Sequence, residues 1–328
     1  MDLKDKTILI TGGTGSFGKA CVKALLEHHE PAVVRVFSRD ELKQSEMAVP
    51  YKDEDRIRFF IGDVRDRDRL VRATRGVDLI IHAAALKQVP ACEYNPFEAV
   101  QTNVMGAENI VTAAIENDVP RVIQLSTDKA VNPVNLYGAT KLCAEKIITQ
   151  ANTYAADSDA RFANVRYGNV VGSRGSVLPL FLRQAQTGTL TITDERMTRF
   201  WITLPEAVEF VLESLHIMEG GEVFVPKIPS MRVRDVADAI APDAEHRIIG
   251  IRPGEKLHEV LLTEDESRHA QDLEDRYAIL PEFPTWRTAA YRHGPGLQDG
   301  FRYSSDTNER WLTADGLRAL LPSLEPVA

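Results

Sequence analysis

Apolar residues in this chain fall into short unbroken runs separated by longer stretches of helical repeat. Thr7-Ile8-Leu9-Ile10, Val33-Val34-Arg35-Val36-Phe37, Arg58-Phe59-Phe60-Ile61, Leu79-Ile80-Ile81-His82, Val122-Ile123-Gln124-Leu125 and Phe162-Ala163-Asn164-Val165-Arg166-Tyr167 are the runs, and several are rich in β-branched residues. Runs without strict polar alternation read as strands covered on both faces. Helical patterns lie between them, over residues 19–28, over about 97–117, and onward from Tyr137. Strand alternating with helix predicts an α/β fold of the Rossmann type, a doubly wound parallel sheet. Beyond residue 176 the alternation loosens. A helix near 177–187, a short strand Thr189-Leu190-Thr191-Ile192 and a helix near 205–218 are expected there. The expected organisation is a Rossmann domain over 1–175 and a smaller C-terminal α/β substrate-binding lobe over 176–328, with some exchange of chain between them. The stretch 268–295 is charged and carries several prolines, and no regular structure is expected in it.

Composition changes this picture little. The chain has 328 residues, 44% hydrophobic and 27% charged, which is ordinary globular usage. A formal charge of -9 argues against a nucleic-acid face. An anionic ligand then needs local cations. Cys21, Cys92 and Cys143 form neither a metal spacing nor a disulfide framework and suit a reducing compartment, so a cytoplasmic location is expected, with no metal. The first residues lack the apolar core of a signal peptide, and no apolar run approaches the ~20 residues needed to span a bilayer.

Candidate chemistry begins at the end of the first run. Thr11-Gly12-Gly13-Thr14-Gly15-Ser16-Phe17-Gly18 contains G-x-G-x-x-G spacing between a strand and a helix. Such a turn brings backbone N–H groups to a pyrophosphate, so Gly12, Thr14, Gly15, Ser16, Phe17 and Gly18 are candidate dinucleotide contacts. At the end of the second run Ser38, Arg39 and Lys43 suit a ribose 2′-phosphate, which points to NADP. Against this, Asp40 stands beside them and Arg39 can simply pair with it. Asp63 either meets an adenine amine or caps the helix from Asp66, with Val64 beside it. Small Ala83 and Ala84 let a cofactor lie against backbone. His82 reads as a packed strand-end histidine. Lys87 and Tyr94 follow in a loop within reach of substrate, and Asn103, inside an apolar helix, reads as support for the site.

The fifth run leads into Ser126-Thr127-Asp128-Lys129-Ala130 and then Tyr137-Gly138-Ala139-Thr140-Lys141. Ligands of open α/β sheets sit outside the carboxyl ends of the strands. The loop therefore delivers a hydroxyl, a carboxylate, an amine and a phenol to one crevice. Tyr137 and Lys141 share a helix face. A cationic Lys141 favours phenolate at Tyr137, making it a candidate base. In the second half Arg174, Arg199 and Arg252 are candidate phosphate forks or surface ion pairs. Glu255 either takes a ribose hydroxyl or holds Arg252.

Thr11 to Gly18, Asp63, His82-Ala83-Ala84, Asn103 and Tyr137-x-x-x-Lys141 together resemble the extended short-chain dehydrogenase/reductase superfamily. Within it, Ser38 to Gln44, Ser126 to Lys141, Arg166 to Gly175, Arg196 to Trp201 and Gly250 to Lys256 are similar to the inverting UDP-N-acetylglucosamine 4,6-dehydratases. The resemblance implies NADP as cofactor, a nucleotide-sugar substrate and a homo-oligomer. It places Asn169 between nicotinamide and sugar diphosphate, tips Arg199 and Arg252 toward ligand, and extends the substrate set to Thr191 and Met197. It implies that Tyr137, helped by Lys141 and beside Thr127, takes the C4 hydroxyl proton, that Lys129 takes the C5 proton, and that Asp128 protonates the departing C6 hydroxyl. Those last roles need a neutral amine beside a protonated acid. Burial favours that pair of states and mutual attraction opposes it, so the two groups titrate together. A UDP-sugar 4-epimerase, a retaining 4,6-dehydratase and a non-catalytic NADP-binding regulator are the competing readings.

Overall fold

The computed structural model describes residues 2–156, 158–172, 177–284, 286 and 294–321. Six strands alternate with helices through the first half: β1 (Thr7–Thr11), β2 (Val33–Ser38), β3 (Ile57–Ile61), β4 (Leu79–His82), β5 (Arg121–Leu125) and β6 (Arg161–Val165). The helices are α1 (Ser16–His28), α2 (Glu41–Ala48), α3 (Arg67–Ala73), α4 (Val89–Tyr94), α5 (Pro96–Ala99), α6 (Gly106–Glu116) and α7 (Leu136–Tyr154). All the pairings among these six strands are parallel, in the order β3-β2-β1-β4-β5-β6. That order reverses between β1 and β4, the topological switch point at which dinucleotides bind in this class.

The apolar runs are continuous because both sheet faces are covered. Ile8 and Ile10 join one core layer with Val34, Val36, Leu79 and Ile81. Leu9 points the other way and packs with Phe37, Ile80, Val122 and Phe162. Successive side chains of a strand alternate between faces, so each run feeds both layers.

Further along come β7 (Asn169–Val170), α8 (Val177–Ala185), β8 (Thr189–Ile192), β9 (Thr198–Ile202), α9 (Leu204–Ile217) and β10 (Val223–Pro226). Then follow β11 (Ser230–Arg232), α10 (Val233–Ile240), β12 (Glu245–Ile248), β13 (Val260–Leu262), α11 (Glu264–Ser267), β14 (Ala270–Asp272), β15 (Arg276–Ile279), β16 (Tyr303–Ser304) and α12 (Ala314–Leu320). β10 extends the large sheet in parallel beside β6, and β15 and β14 complete it antiparallel, so nine strands align among the described residues. A third core layer, built on Leu178, Leu190, Trp201, Met231 and Val236, holds the smaller elements together.

Three expectations are corrected. The first helix starts at Ser16, not Lys19, so its first turn faces the glycine loop. The helix expected over 97–117 is interrupted by a π segment, Val100–Met105, which contains Asn103. The stretch 268–295, expected to be irregular, supplies β14 and β15, while 285 and 287–293 lie outside the described residues. These two strands are only three and four residues long and pair with each other, and what joins them to the large sheet is the pairing of β15 with Val223–Pro226, remote in sequence, so no local pattern announces them.

Candidate active site

A cavity of about 600 Å³ opens at the carboxyl ends of the parallel strands. Gly12, Thr14, Gly15, Ser16, Phe17 and Gly18 line one end, Ser38, Arg39, Lys43, Asp63 and Val64 the rim, and Ala83, Ala84 and Lys87 the floor. Gly12 has a φ of +66°, and a Cβ there would stand 2.9 Å from the backbone of Ala84. The turn therefore lies flat against the β4 exit, leaving its N–H groups and the start of α1 open to an anion. This cradle fits a nicotinamide dinucleotide, with the pyrophosphate at the α1 N-terminus.

At the adenosine end, Asp40 is occupied as the N-cap of α2. It accepts from Lys43 N at 3.0 Å and pairs with Lys43 Nζ at 2.7 Å. Arg39 extends from the rim, 55% exposed, with Nη1 3.7 Å from Asp63 Oδ2. Ser38 accepts from Gln44 at 3.1 Å. Asp63 does not cap α3: Asp66 does, and Asp63 binds Arg65 through both carboxylate oxygens. Asn103 is not in the lining. Its amide holds the backbone of Leu86 from both sides, at 2.8 and 2.9 Å, and Thr140 at 3.0 Å. It fixes the loop that presents Lys87.

The opposite end of the cavity is lined by Ser126, Thr127, Lys129, Tyr137, Lys141, Tyr167, Gly168 and Asn169. β5 ends at Leu125, and a single 3-10 turn, Asp128–Ala130, follows. Its backbone is pinned by Ser126 N to Val165 O at 2.6 Å and Asp128 N to Tyr167 O at 3.2 Å. Gly138 permits the first turn of α7 to press on this loop, since a Cβ would fall 2.0 Å from Lys129 O. The side chains form a chain of contacts. Thr127 lines the cavity with Tyr137 and donates to Asp128 Oδ1 at 3.0 Å. Lys129 Nζ donates to the same Oδ1 at 3.0 Å and to Asn169 Oδ1 at 3.5 Å. Asp128 is fully buried and stands behind the cavity wall, and its Oδ2 has no hydrogen-bond partner.

Burial and neighbouring charge together set the electrostatics at this end. Burial pushes the Tyr137 phenol up to about 12, and the cation that opposes this is Lys129. Lys141 is itself pushed down to about 8 by burial, against Glu145, and its charge lowers His82. Burial also works to lower the Lys129 ammonium, but the Asp128 and Glu259 carboxylates outweigh it and raise Lys129 above its ordinary value. At Lys129 the attraction of the neighbouring carboxylates thus outweighs burial. His82 matches its expected role: it is buried, bonds Thr11 Oγ1 at 2.7 Å, and is driven down to about 3, first by burial and then by Lys141.

The expected substrate contacts divide. Lys87 and Asn169 reach the cavity, whereas Tyr94, Thr191, Met197, Arg199, Arg252 and Glu255 are absent from its lining. Tyr94 is 87% exposed. Thr191 is bound by Gln184 on two atoms. Arg199 is buried and donates to the carbonyls of Thr198, Leu257 and Lys256 and to the sulfur of Met197. Arg252 pairs loosely with Glu255 at 3.9 Å. Arg174 lies outside the described residues.

Two residues next to the acid–base pair escaped the sequence reading. Lys256 Nζ donates to Val131 O at 2.5 Å and Asp128 O at 3.4 Å, tying the turn after β5 to the C-terminal half. Glu259 is buried 3.8 Å from Lys129. Lys256 lies in a stretch that carried the resemblance, but nothing local marks either side chain as inward-facing.

Comparison with known proteins agrees with this geometry. The polysaccharide biosynthesis protein family model matches residues 8–281. The chain is 51% identical over 329 residues to the UDP-N-acetylglucosamine 4,6-dehydratase (inverting) of Campylobacter jejuni, with 98% of each covered. It is 44% identical over 283 residues to a UDP-glucose 4-epimerase of Rickettsia conorii, covering 84% of this chain and 83% of the other. Among solved structures, that of Pen from Bacillus thuringiensis superposes with a TM-score of 0.89 at 39% identity, covering 98% of this chain and 100% of that one. The chain belongs to the polysaccharide biosynthesis protein family of extended short-chain dehydrogenase/reductases, and within it stands beside the inverting UDP-N-acetylglucosamine 4,6-dehydratases.

Proposed function

We propose that this protein is a hydro-lyase that dehydrates UDP-N-acetylglucosamine across C4 to C6 and inverts C5, giving UDP-2-acetamido-2,6-dideoxy-β-L-arabino-hex-4-ulose. The observation that carries this reading is the Asp128–Lys129 pair, joined at 3.0 Å, with Lys129 lining the dinucleotide crevice beside Tyr137 and Asp128 buried directly behind it. A 4-epimerase needs a base at C4 but no acid for a C6 leaving group. A dehydratase needs both, and an inverting one needs a base that also serves the opposite face of C5.

The bound nicotinamide dinucleotide supplies the hydride acceptor for C4 and the hydride donor for C6. The chain's own residues handle protons. Tyr137 in its phenolate form, which the Lys129 charge favours, removes the C4 hydroxyl proton, and beside it Thr127 donates to Asp128. The Lys129 ammonium transfers one proton to Asp128 along their hydrogen bond. That single transfer converts the ion pair into the amine and acid that elimination requires, without changing the net charge of the pair. The amine then takes the C5 proton, and Asp128 protonates the departing C6 oxygen. Lys129 is also the group that returns a proton to C5 on the inverted face. General acid–base assistance of this kind is worth about 10²–10⁴ in rate per group. Lys87 and Asn169 are candidate sugar or diphosphate contacts. The product suits a first step toward pseudaminic acid or related 6-deoxy amino sugars.

Incubation with UDP-N-acetylglucosamine in deuterated water, followed by NMR of the product, tests the reading. The expected product has lost one water, carries a 4-keto-6-deoxy sugar, and holds deuterium at an inverted C5. An epimerised product with its C6 oxygen intact supports the second reading, favoured by the 44% identity to a UDP-glucose 4-epimerase. Retained C5 configuration points instead to a retaining dehydratase.

The cofactor reading is NADP. The supporting observation is that Asp40 is engaged by Lys43 while Arg39 projects from the rim. Replacing Arg39 by alanine is expected to weaken NADP⁺ binding about tenfold or more while changing NAD⁺ binding little, as measured by calorimetry. Equal loss for both dinucleotides rejects the 2′-phosphate assignment. Among the described residues, no helix is long and apolar enough to cross a membrane.

A further inference from the structure

One buried carboxylate outside the sequence-derived set faces the acid–base pair from the C-terminal half. Glu259, immediately before β13, is 2% exposed. Its Oε1 lies 3.8 Å from Lys129 Nζ and 3.8 Å from Arg199 Nε. Its Oε2 lies 3.5 Å from Lys256 Nζ and has no hydrogen-bond partner. The backbone around it is rigidly held. Glu259 N donates to Ser305 Oγ at 2.9 Å, Ser305 N donates back to Glu259 O at 2.8 Å, and β13 pairs with β16.

A carboxylate taken out of water is costly unless nearby cations compensate it. Arg199 already donates to three carbonyls and a sulfur, and Lys256 to two carbonyls. Lys129 is therefore the cation whose partners are mainly charged: Asp128 on its own turn and Glu259 from the segment before β13. The other charged and titratable groups around this position are Tyr137 on α7, Arg199 on β9, and Lys256 three residues before Glu259. Two carboxylates thus hold one ammonium between them.

Resting on the dehydratase reading above, we propose that Glu259 is a positioning residue for Lys129, holding the ammonium in place between two carboxylates and setting how readily its proton crosses to Asp128. The transfer breaks one N–H bond at Nζ and makes one O–H bond at Oδ1. Glu259 stabilises the ammonium, so it restrains the transfer until a substrate occupies the site. Removing its charge lowers the affinity of Nζ for the proton. The proton shared by the pair is then lost to solvent at lower pH. The direction agrees with the raised Lys129 value, to which Glu259 contributes beside Asp128.

The test is an NMR titration of lysine Nζ and Cε nuclei in the full chain without sugar, with the Lys129 signal assigned by its loss in Lys129→Arg. The expected result is a Lys129 midpoint about 1–3 pH units lower in Glu259→Gln than in the wild type. If that variant does not fold, Glu259→Asp, which keeps the charge one methylene farther away, is expected to show a smaller drop. An unchanged midpoint in the variant that folds overturns the inference. Product formation is read separately. Dehydration by the wild type together with an unchanged titration rejects the role of Glu259 alone. A shifted titration with no dehydration by the wild type rejects the function alone.

Discussion

Lys129→Ala is expected to stop exchange of the sugar C5 proton with solvent while leaving dinucleotide binding intact. Nζ is the basic atom that the structure sets at the cavity wall next to an acid, 3.0 Å from Asp128 Oδ1 and 3.5 Å from Asn169 Oδ1. The dinucleotide cradle at the α1 end uses none of these contacts. Loss of a positioned base lowers dehydration by about 10²–10⁴, and here the same substitution removes the proton source for Asp128, so the upper part of that range is expected. C5 exchange in deuterated water, followed by NMR alongside calorimetry with the dinucleotide, separates the two effects. Exchange at the wild-type rate removes Lys129 from the role of base. Loss of dinucleotide binding in step with exchange identifies a folding defect instead.

The largest expected effect on stability lies one layer behind the site. Arg166, just past the end of β6, is 2% exposed and sits between two carboxylates. It bonds Glu145 of α7 at 3.1 and 2.7 Å, Glu266 of α11 at 3.1 and 2.9 Å, and the carbonyl of Leu261 at 3.0 Å. The guanidinium thus ties the helix that carries Tyr137 and Lys141 to the C-terminal segment. Arg166→Ala leaves Glu145 buried with no countercharge in this triad, and breaking such a group from one side costs about 3–5 kcal/mol. Urea unfolding is the measurement, with a lowered midpoint at unchanged slope as the expected outcome. A loss below about 1 kcal/mol shows that the triad contributes nothing beyond a surface ion pair. The same triad predicts an acid limit. Burial raises the Glu266 carboxyl, but Arg166 and the Thr263 cap outweigh it, and the folded value is depressed. A depressed carboxyl contributes stability that is fully present above the ordinary glutamate range and is lost as pH falls through the folded value. In Arg166→Ala that acid sensitivity is expected to diminish.

The residues differ in how openly they declare themselves. β1 to β6 are legible because a parallel sheet covered on both faces demands unbroken apolar runs, and few other local structures do. The glycine turn is legible because positive φ at Gly12 and the backbone approach to Ala84 tolerate almost no other residue. Asn103 stands out as a polar side chain in an apolar helix, and its bonds to Leu86 explain it, although the π turn that carries it leaves no mark in the pattern. The arginines are less legible. Arg199 has the right chemistry for a phosphate, yet its guanidinium is bound by carbonyls of a segment near residue 257, a fact of packing and not of residue type.

Legible from residue order alone are the alternation of strand and helix, the dinucleotide turn at the first crossover, and Thr127, Lys129, Tyr137 and Lys141 lining one crevice with Asp128 directly behind them. Tertiary structure decided their charge states and their neighbours. Lys256 lies 128 positions from Asp128 yet holds its carbonyl, and Glu259 meets Lys129 only because β13 docks against the turn after β5. Local periodicity records which face of an element is buried. It does not record which distant charge will share that burial, and in a desolvated site the distant charge decides whether an amine keeps its proton.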